Sequence, residues 1–187
     1  MSKNITQYLG RQVLRHLLNS AGISRFPEAQ FDMVRIGIGL YGFGADETEQ
    51  AQLRNVSTLR TVVTQVKRIP AGDTIGYNRK GRAETEKLIA IVPVGYADGL
   101  DRRLGNGNGV LYLHGREAPI IGNVCMDLTM LDVTELSANG IEVREGDEVI
   151  VFGDGHPAGE LALRAGTIPY EVLTGISARV KRIYYHE

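Results

Sequence analysis

Cysteine is nearly absent from this sequence: Cys125 stands alone among 187 residues. A disulfide framework and a cysteine-rich metal site are both excluded, and a reducing compartment such as the cytoplasm is the expected location. An excess of either charge is missing too, since 21 Lys+Arg face 22 Asp+Glu, a net charge of −1. Such a chain has no basic field with which to track nucleic acid or an acidic membrane surface. No run approaches the ~20 apolar residues of a membrane span, and the opening residues Met1 to Gln7 lack the apolar core of a signal peptide, so a soluble, unexported protein is expected. Paired histidines are also lacking. His16, His114, His156 and His186 are scattered with no i, i+4 pair, which argues against zinc, and no Ser, His and Asp set declares itself. Length excludes one more architecture, because a complete (β/α)₈ barrel typically needs ~250 residues.

What the chain does have is glycine, 23 residues of 187, about 12% against a usual ~7%. There is no repeat period, so this implies many tight turns. Between positions 7 and 20, Leu9, Val13 and Leu17 share one helical row and Leu14 and Leu18 the next, a spacing that predicts an amphipathic helix, against which Gly10 counts. Residues 31 to 42 read as a buried strand ending in glycines. Residues 44 to 57 are polar and aperiodic, a connection that places a domain boundary near residue 44: 1–44 on one side, 45–187 on the other.

Beyond that point the pattern is β. Strands are expected at 59–69, 88–94, 110–113, 118–121, 130–133 and 148–152, separated by turn chemistry such as Pro70-Ala71-Gly72-Asp73 and Gly105-Asn106-Gly107-Asn108-Gly109. Two short helices at 158–166 and 168–176 and a last strand at 179–185 complete the reading. Mostly β, with a small barrel-like sheet, is the expected fold class.

Several motifs carry chemistry. Gly37-x-Gly39-x-x-Gly42 has the letters of a dinucleotide fingerprint but lacks the helix and the acid ~20 residues on. Two readings remain, glycines for close packing or bare backbone N–H groups holding a phosphate, with Arg35 on the same face as Gly37. Gly76-Tyr77-Asn78-Arg79 follows a turn. Gly95-Tyr96-Ala97-Asp98-Gly99, followed by Arg102-Arg103, is denser in polar groups than a plain turn requires. In Gly122-Asn123-Val124-Cys125-Met126-Asp127 an acid and a thiol follow an apolar stretch, and Cys125 reads as a small buried hydrophobe. Residue chemistry alone reaches an anionic, phosphate-bearing ligand and names no reaction.

Taken in order, Asn19-Ser20-Ala21, Arg35 to Gly42, Gly76-Tyr77-Asn78, Gly95 to Gly99, Gly122-x-x-Cys125-Met126-Asp127 and Thr167-Ile168-Pro169-Tyr170-Glu171 resemble the pyridoxal 5′-phosphate-dependent alanine racemases. The resemblance implies the last segments of a (β/α)₈ barrel followed by the family's C-terminal β domain, similar to racemase regions fused behind a cell-wall ligase. It implies a cytoplasmic enzyme that makes D-alanine for peptidoglycan. Ser20, Gly37, Ile38 and Tyr170 match positions around the cofactor phosphate. Arg35 matches the group facing the pyridine nitrogen, where most pyridoxal enzymes use an acid. Tyr77 matches the tyrosine acid/base; a phenol, with an ordinary pKa near ~10, needs positive charge nearby to act at neutral pH. Met126 matches a residue whose main-chain amide meets the substrate carboxylate, and Tyr96 and Arg102 match groups at the entrance corridor. In the family these β-domain groups act in trans across a homodimer, on the barrel of the partner subunit.

Two departures qualify the resemblance. Asn123 stands where many relatives carry an arginine, which leaves open a racemase for another amino acid such as serine. None of Lys3, Lys67, Lys80, Lys87 and Lys181 lies in the family's Schiff-base context. The chain alone is therefore expected to be inactive with a partial cofactor site, and a non-catalytic β dimerisation module is the alternative. The family also places 17–20 at a barrel-strand end, against the helix that periodicity predicts.

Overall fold

The computed structural model describes residues 7–185. They form two compact units, one up to Val56 and one from Ser57 onward.

In the first unit the expected helix over 7–20 does not form. Residues 7–9 are helical, Gly10 turns the chain at φ +62°, and the backbone then runs extended to Asn19. Extension lets residues 15–18 lie beside 32–35 in a parallel pair, through the His16–Met33 bridge, Asp32 N–H to Arg15 C=O (3.2 Å) and Arg35 N–H to Leu18 C=O (3.0 Å). These bonds satisfy backbone groups that local helix spacing could not predict. Arg15 adds a two-pronged pair to Asp32, and its guanidinium pulls that carboxyl down to about 2. Helix α1, Ser20–Arg25, starts under an Asn19 cap that accepts from Gly22 N–H.

The strand expected over 31–42 is likewise reduced to the Met33 bridge, because the chain tightens at Ile38–Tyr41 into a 3₁₀ turn that Gly42 ends at φ +85°. Glycine is required there: a Cβ would sit 2.1 Å from the Arg54 carbonyl oxygen. The polar connection is also folded. Helix α2, Glu47–Gln50, is capped by Asp46, and the Gln50 side chain bonds Gly42 C=O and Gly44 N–H.

The described residues of the second unit form nine strands, β1 Leu59–Val62, β2 Gln65–Ile69, β3 Thr74–Ile75, β4 Gly81–Arg82, β5 Lys87–Val92, β6 Val110–Leu113, β7 Arg116–Pro119, β8 Thr129–Asp132 and β9 Glu148–Phe152. All pairings are antiparallel, in the orders β1-β9-β6-β7, β2-β5-β8 and β3-β4. What reads as one strand over 59–69 is two, because the chain leaves one sheet for the other at Val63–Thr64. There Val63 N–H bonds Asp147 C=O and Thr64 N–H bonds Ile91 C=O.

Every residue of β6 is buried, so this strand is covered on both faces as well as paired at both edges, and Leu111, Leu113, Ile120, Leu131, Val149 and Val151 fill the core. The β6–β7 hairpin turns through His114 and Gly115, both at positive φ (51° and 71°), as a two-residue loop demands. Helix α3 is Thr134–Ala138. Helix α4, Ala158–Ala165, buries Ala158, Leu161, Ala162 and Ala165 and ends on the left-handed Gly166; α5, Pro169–Gly175, starts with proline at its first turn. No strand forms at 179–185: Arg182 bonds the carbonyls of Ile176, Ser177 and Val180, curling the segment on itself. No described helix is long and apolar enough to cross a membrane.

Tyr112 of β6 is stacked on His156 and donates to the Glu160 carboxylate at 2.9 Å. Burial, with Glu160 adding to it, pushes this phenol up to about 12 from an ordinary 10.0. A raised acid pKa means the native state holds a proton that the unfolded chain has lost, so this contribution is whole below pH ~10 and fades as pH rises toward ~12. Tyr112→Phe is expected to flatten the fall in urea midpoint across that window; an unchanged alkaline slope refutes the assignment.

Candidate functional site

Two groups of residues stand out, one in each unit. In the first, the Ser20 hydroxyl at the start of α1 is buried and accepts from Gly37 N–H at 2.8 Å. It keeps its own proton to give to an incoming anion. A Cβ at Gly37 or Gly39 would have the Ser20 Oγ as its nearest neighbour, at 3.8 Å in both cases, so the two glycines leave open space around that hydroxyl. Ile38 opens the 3₁₀ turn beside them. Arg35, two residues before Gly37, donates to Leu17 C=O at 3.1 Å. Thus Ser20, Gly37 and Ile38 come together with Arg35 next in the chain, while Tyr170, the fourth expected phosphate residue, lies on α5 of the other unit and is half-exposed.

In the second unit, Tyr77, Tyr96, Arg102, Asn123, Cys125 and Met126 line one recess of about 440 Å³. Local backbone geometry aims each of them. Gly76 takes φ +77°, after which Tyr77–Arg79 make a 3₁₀ turn with Asn78 left-handed, and this turn presents the Tyr77 ring to solvent at 76% exposure. Asn123, noted in the sequence as a departure, holds the turn from the other side: its side-chain NH₂ donates to Tyr77 C=O (3.1 Å) while its oxygen accepts from Asn106 (2.9 Å). The loop over 95–99 docks on the loop over 122–128 through Tyr96 N–H to Cys125 C=O and Ala97 N–H to Met126 C=O, 3.0 and 3.1 Å. The Arg102 guanidinium lies 5.7 Å from the Tyr96 ring centroid, a cation–π contact. Cys125 is half-buried with its thiol 3.6 Å from Asn123 C=O, less enclosed than a small core hydrophobe.

The sequence reading missed the residue that fastens these loops. Arg179, expected in a strand, instead donates to Asp98 Oδ1 at 2.7 Å and to Asp127 Oδ1 at 2.5 Å, and the other Asp98 oxygen accepts from Gly95 N–H. One guanidinium fork thereby joins the Tyr96 loop to the Met126 loop, and the two carboxylates raise the Arg179 pKa further. Partial burial pushes the Asp98 carboxyl up, but Arg179 and the Gly95 amide outweigh it and leave it below its ordinary 3.8. A depressed carboxylate stabilises the fold above the unfolded pKa and loses that contribution as pH falls through the folded value. Arg179→Gln is expected to lower the urea midpoint at pH 7, with the gap from the unaltered chain narrowing below pH ~4; equal midpoints at pH 7 would show that the fork contributes nothing.

Residues 56–184 match the family model for the C-terminal domain of alanine racemase and residues 1–45 match that for its N-terminal domain. Alanine racemase 1 of Clostridium acetobutylicum is 40% identical over 178 residues, 91% of this chain and 45% of the relative. The alanine racemase of Carboxydothermus hydrogenoformans is 44% identical over 177 residues, 91% and 47% respectively. Among solved structures, alanine racemase from Clostridium difficile 630 superposes with a TM-score of 0.87 at 34% identity, covering 98% of this chain and 47% of that one. The chain thus spans a little under half the length of the curated relatives it matches.

Proposed function

Because the chain belongs to the alanine racemase family, we propose that it supplies the C-terminal share of an enzyme interconverting L- and D-alanine, with Tyr77 as one of its two acid/base groups. The observation that carries this reading is the convergence of Tyr77, Tyr96, Arg102 and Met126 on one recess. Racemisation needs a proton removed from one face of Cα and returned to the other, so two groups must flank the substrate. Tyr77 is free to approach from one side, exposed on a turn that Asn123 holds through the Tyr77 carbonyl. Arg102 lines the same recess, with its guanidinium over the Tyr96 ring. The Met126 main-chain amide is assigned to the substrate carboxylate, and Tyr96 to the wall of its corridor.

Pyridoxal 5′-phosphate fits this chain at its phosphate end: a buried hydroxyl with a proton to give, and two glycines whose missing Cβ atoms leave room beside it. Ser20, Gly37 and Ile38 would hold the phosphate, the resemblance also assigns Tyr170 to it, and Arg35 would supply a fixed positive charge that disfavours protonation of the ring nitrogen. When bound, the cofactor acts as an electron sink that acidifies the substrate Cα–H bond. The anchoring lysine belongs to the part of the barrel domain that this chain does not span, and in a homodimer the recess serves the partner subunit's cradle. Residues 1–44 are accordingly the barrel share and 45–187 the β domain, working in the cytoplasm toward D-alanine for peptidoglycan.

The chain alone is expected to give no D-alanine from L-alanine in a coupled assay, and to give it once the rest of the barrel is supplied. Turnover of L-serine in preference to L-alanine would move the substrate assignment, with Asn123 as the first residue to restore to arginine. Absence of turnover with either amino acid in the reconstituted protein would leave the β unit as a dimerisation module.

A further inference from the structure

The turn that carries Tyr77 is built on strained backbone. Gly76 takes φ +77°, and Asn78 and Arg79, which have side chains, take +62° and +54°. Left-handed residues other than glycine persist only where their surroundings hold them. Here Asn123 and Asn106 supply the hold. The Tyr77 carbonyl can only accept, so the Asn123 amide must turn its NH₂ toward it, at 3.1 Å. That leaves the Asn123 oxygen facing Asn106, which must therefore present its own NH₂, at 2.9 Å. The two amides form a relay with one direction, each donating toward residue 77. Asn106 is fixed in turn by backbone: it sits at φ +58°, a region asparagine tolerates, its N–H bonds Gly122 C=O at 2.7 Å, and Gly107 N–H bonds Ile120 C=O at 2.7 Å. The Gly105 to Gly109 run, which reads in the sequence as turn chemistry alone, thus reaches the Tyr77 turn through a side chain.

We propose that Asn106 is a positioning residue for the Tyr77 acid/base: through the oriented Asn123 amide it fixes the turn from which the phenol works. The inference rests on the racemase reading above and adds to it a residue outside the recess. Asn123 lines that recess and Asn106 does not, so Asn106 acts through residue 123 and not by contact with the substrate. Misplacing a reacting group by about 1 Å can cost ~10² in rate. A relay that contributes little to stability therefore has a measurable effect on turnover, and the effect is confined to the face of the substrate that Tyr77 serves.

Three variants separate the relay from the loop that carries it. Asn106→Gly keeps the left-handed backbone and removes the amide. Asn106→Asp keeps the size but has no N–H to give, so Asn123 must rotate to donate to it and turn its own oxygen on Tyr77 C=O. Asn108→Ala removes bonds to Arg103 C=O and Arg164 C=O (2.8 and 2.6 Å), disturbing the same loop and sparing the relay. By nitrogen relaxation on the full chain, amides 77–79 are expected near the ~0.85 order parameter of rigid backbone in the unaltered and Asn108→Ala proteins, and below ~0.6 in both Asn106 variants. In the enzyme reconstituted with the rest of the barrel, both Asn106 variants should lose about tenfold in solvent exchange of the L-alanine Cα proton, keep exchange from D-alanine, and add nothing further to Tyr77→Phe. Order parameters that do not move, an Asn106→Asp protein that behaves as the unaltered one, equal loss from both faces, or the same one-sided loss in Asn108→Ala would each overturn the proposal. If the unaltered reconstituted protein exchanges neither proton, the racemase reading fails instead, and the order parameters alone decide whether the relay holds the turn.

Discussion

Replacing Tyr77 by phenylalanine in the reconstituted enzyme is expected to lower kcat for L-alanine by about 10²- to 10⁴-fold, the range that one positioned acid/base group supplies. The loss should not reflect unfolding. The ring is 76% exposed, and Asn123 holds the turn through the Tyr77 carbonyl rather than its hydroxyl, so the backbone that presents residue 77 survives the change. The unfolding free energy should therefore stay within the ±0.5 kcal/mol usual for exposed substitutions. Direction matters as well as size. If Tyr77 serves the L-face, exchange of the Cα proton of L-alanine with solvent deuterium should collapse while exchange from D-alanine persists, driven by the group on the opposite side. Equal loss of both exchanges would show that residue 77 positions the substrate without carrying the proton. Undiminished turnover would remove it from the mechanism.

The second large effect concerns Gly95. A Cβ there would lie 2.3 Å from the carbonyl oxygens of both Cys125 and Met126, backbone atoms that cannot swing aside. Gly95→Ala must separate the two loops, breaking Tyr96 N–H to Cys125 C=O and Ala97 N–H to Met126 C=O. Overpacking of this kind costs about 3 kcal/mol, or a fall in Tm on the order of 10 °C. Because the same bonds align Tyr96 with Met126, KM for alanine should rise together with the loss of stability. Arg179→Gln loosens the same junction without a clash, so its effect should be smaller; a Gly95→Ala protein with unchanged Tm would show that the loops can part freely.

Strands bounded by turn chemistry were readable to within about two residues: β6 at 110–113 and β9 at 148–152 fall where short apolar runs between turns place them, whereas the strands expected at 118–121, 88–94 and 130–133 are Arg116–Pro119, Lys87–Val92 and Thr129–Asp132. The run over 59–69 was not divisible, since nothing in Val63-Thr64 marks a change of sheet; that break exists only because Asp147 and Ile91, far along the chain, capture successive amides. Residues 7–20 misled for a different reason. A strand apolar on both sides places leucines at spacings a helix would also produce, and the parallel partner that decides between them is not local. The recess followed the same rule. Tyr77, Tyr96 and Met126 were reached through motifs that resemble a family, whereas Arg179 gave no sign, because its role depends on two aspartates distant in sequence.

The pairing of β1 with β9 bears on how the molecule assembles in time. Leu59–Val62 meets Glu148–Phe152, and every residue lining the recess lies between them in the chain. Closing so long a span spends chain entropy before any contact returns it, which makes this pairing a candidate for the slow step of folding. Hairpins such as β6–β7 can form early and locally, but the four-stranded sheet gains β1 only after the whole intervening chain has been made. On a ribosome, Tyr77 would emerge long before β9 could pair with β1 and complete that sheet.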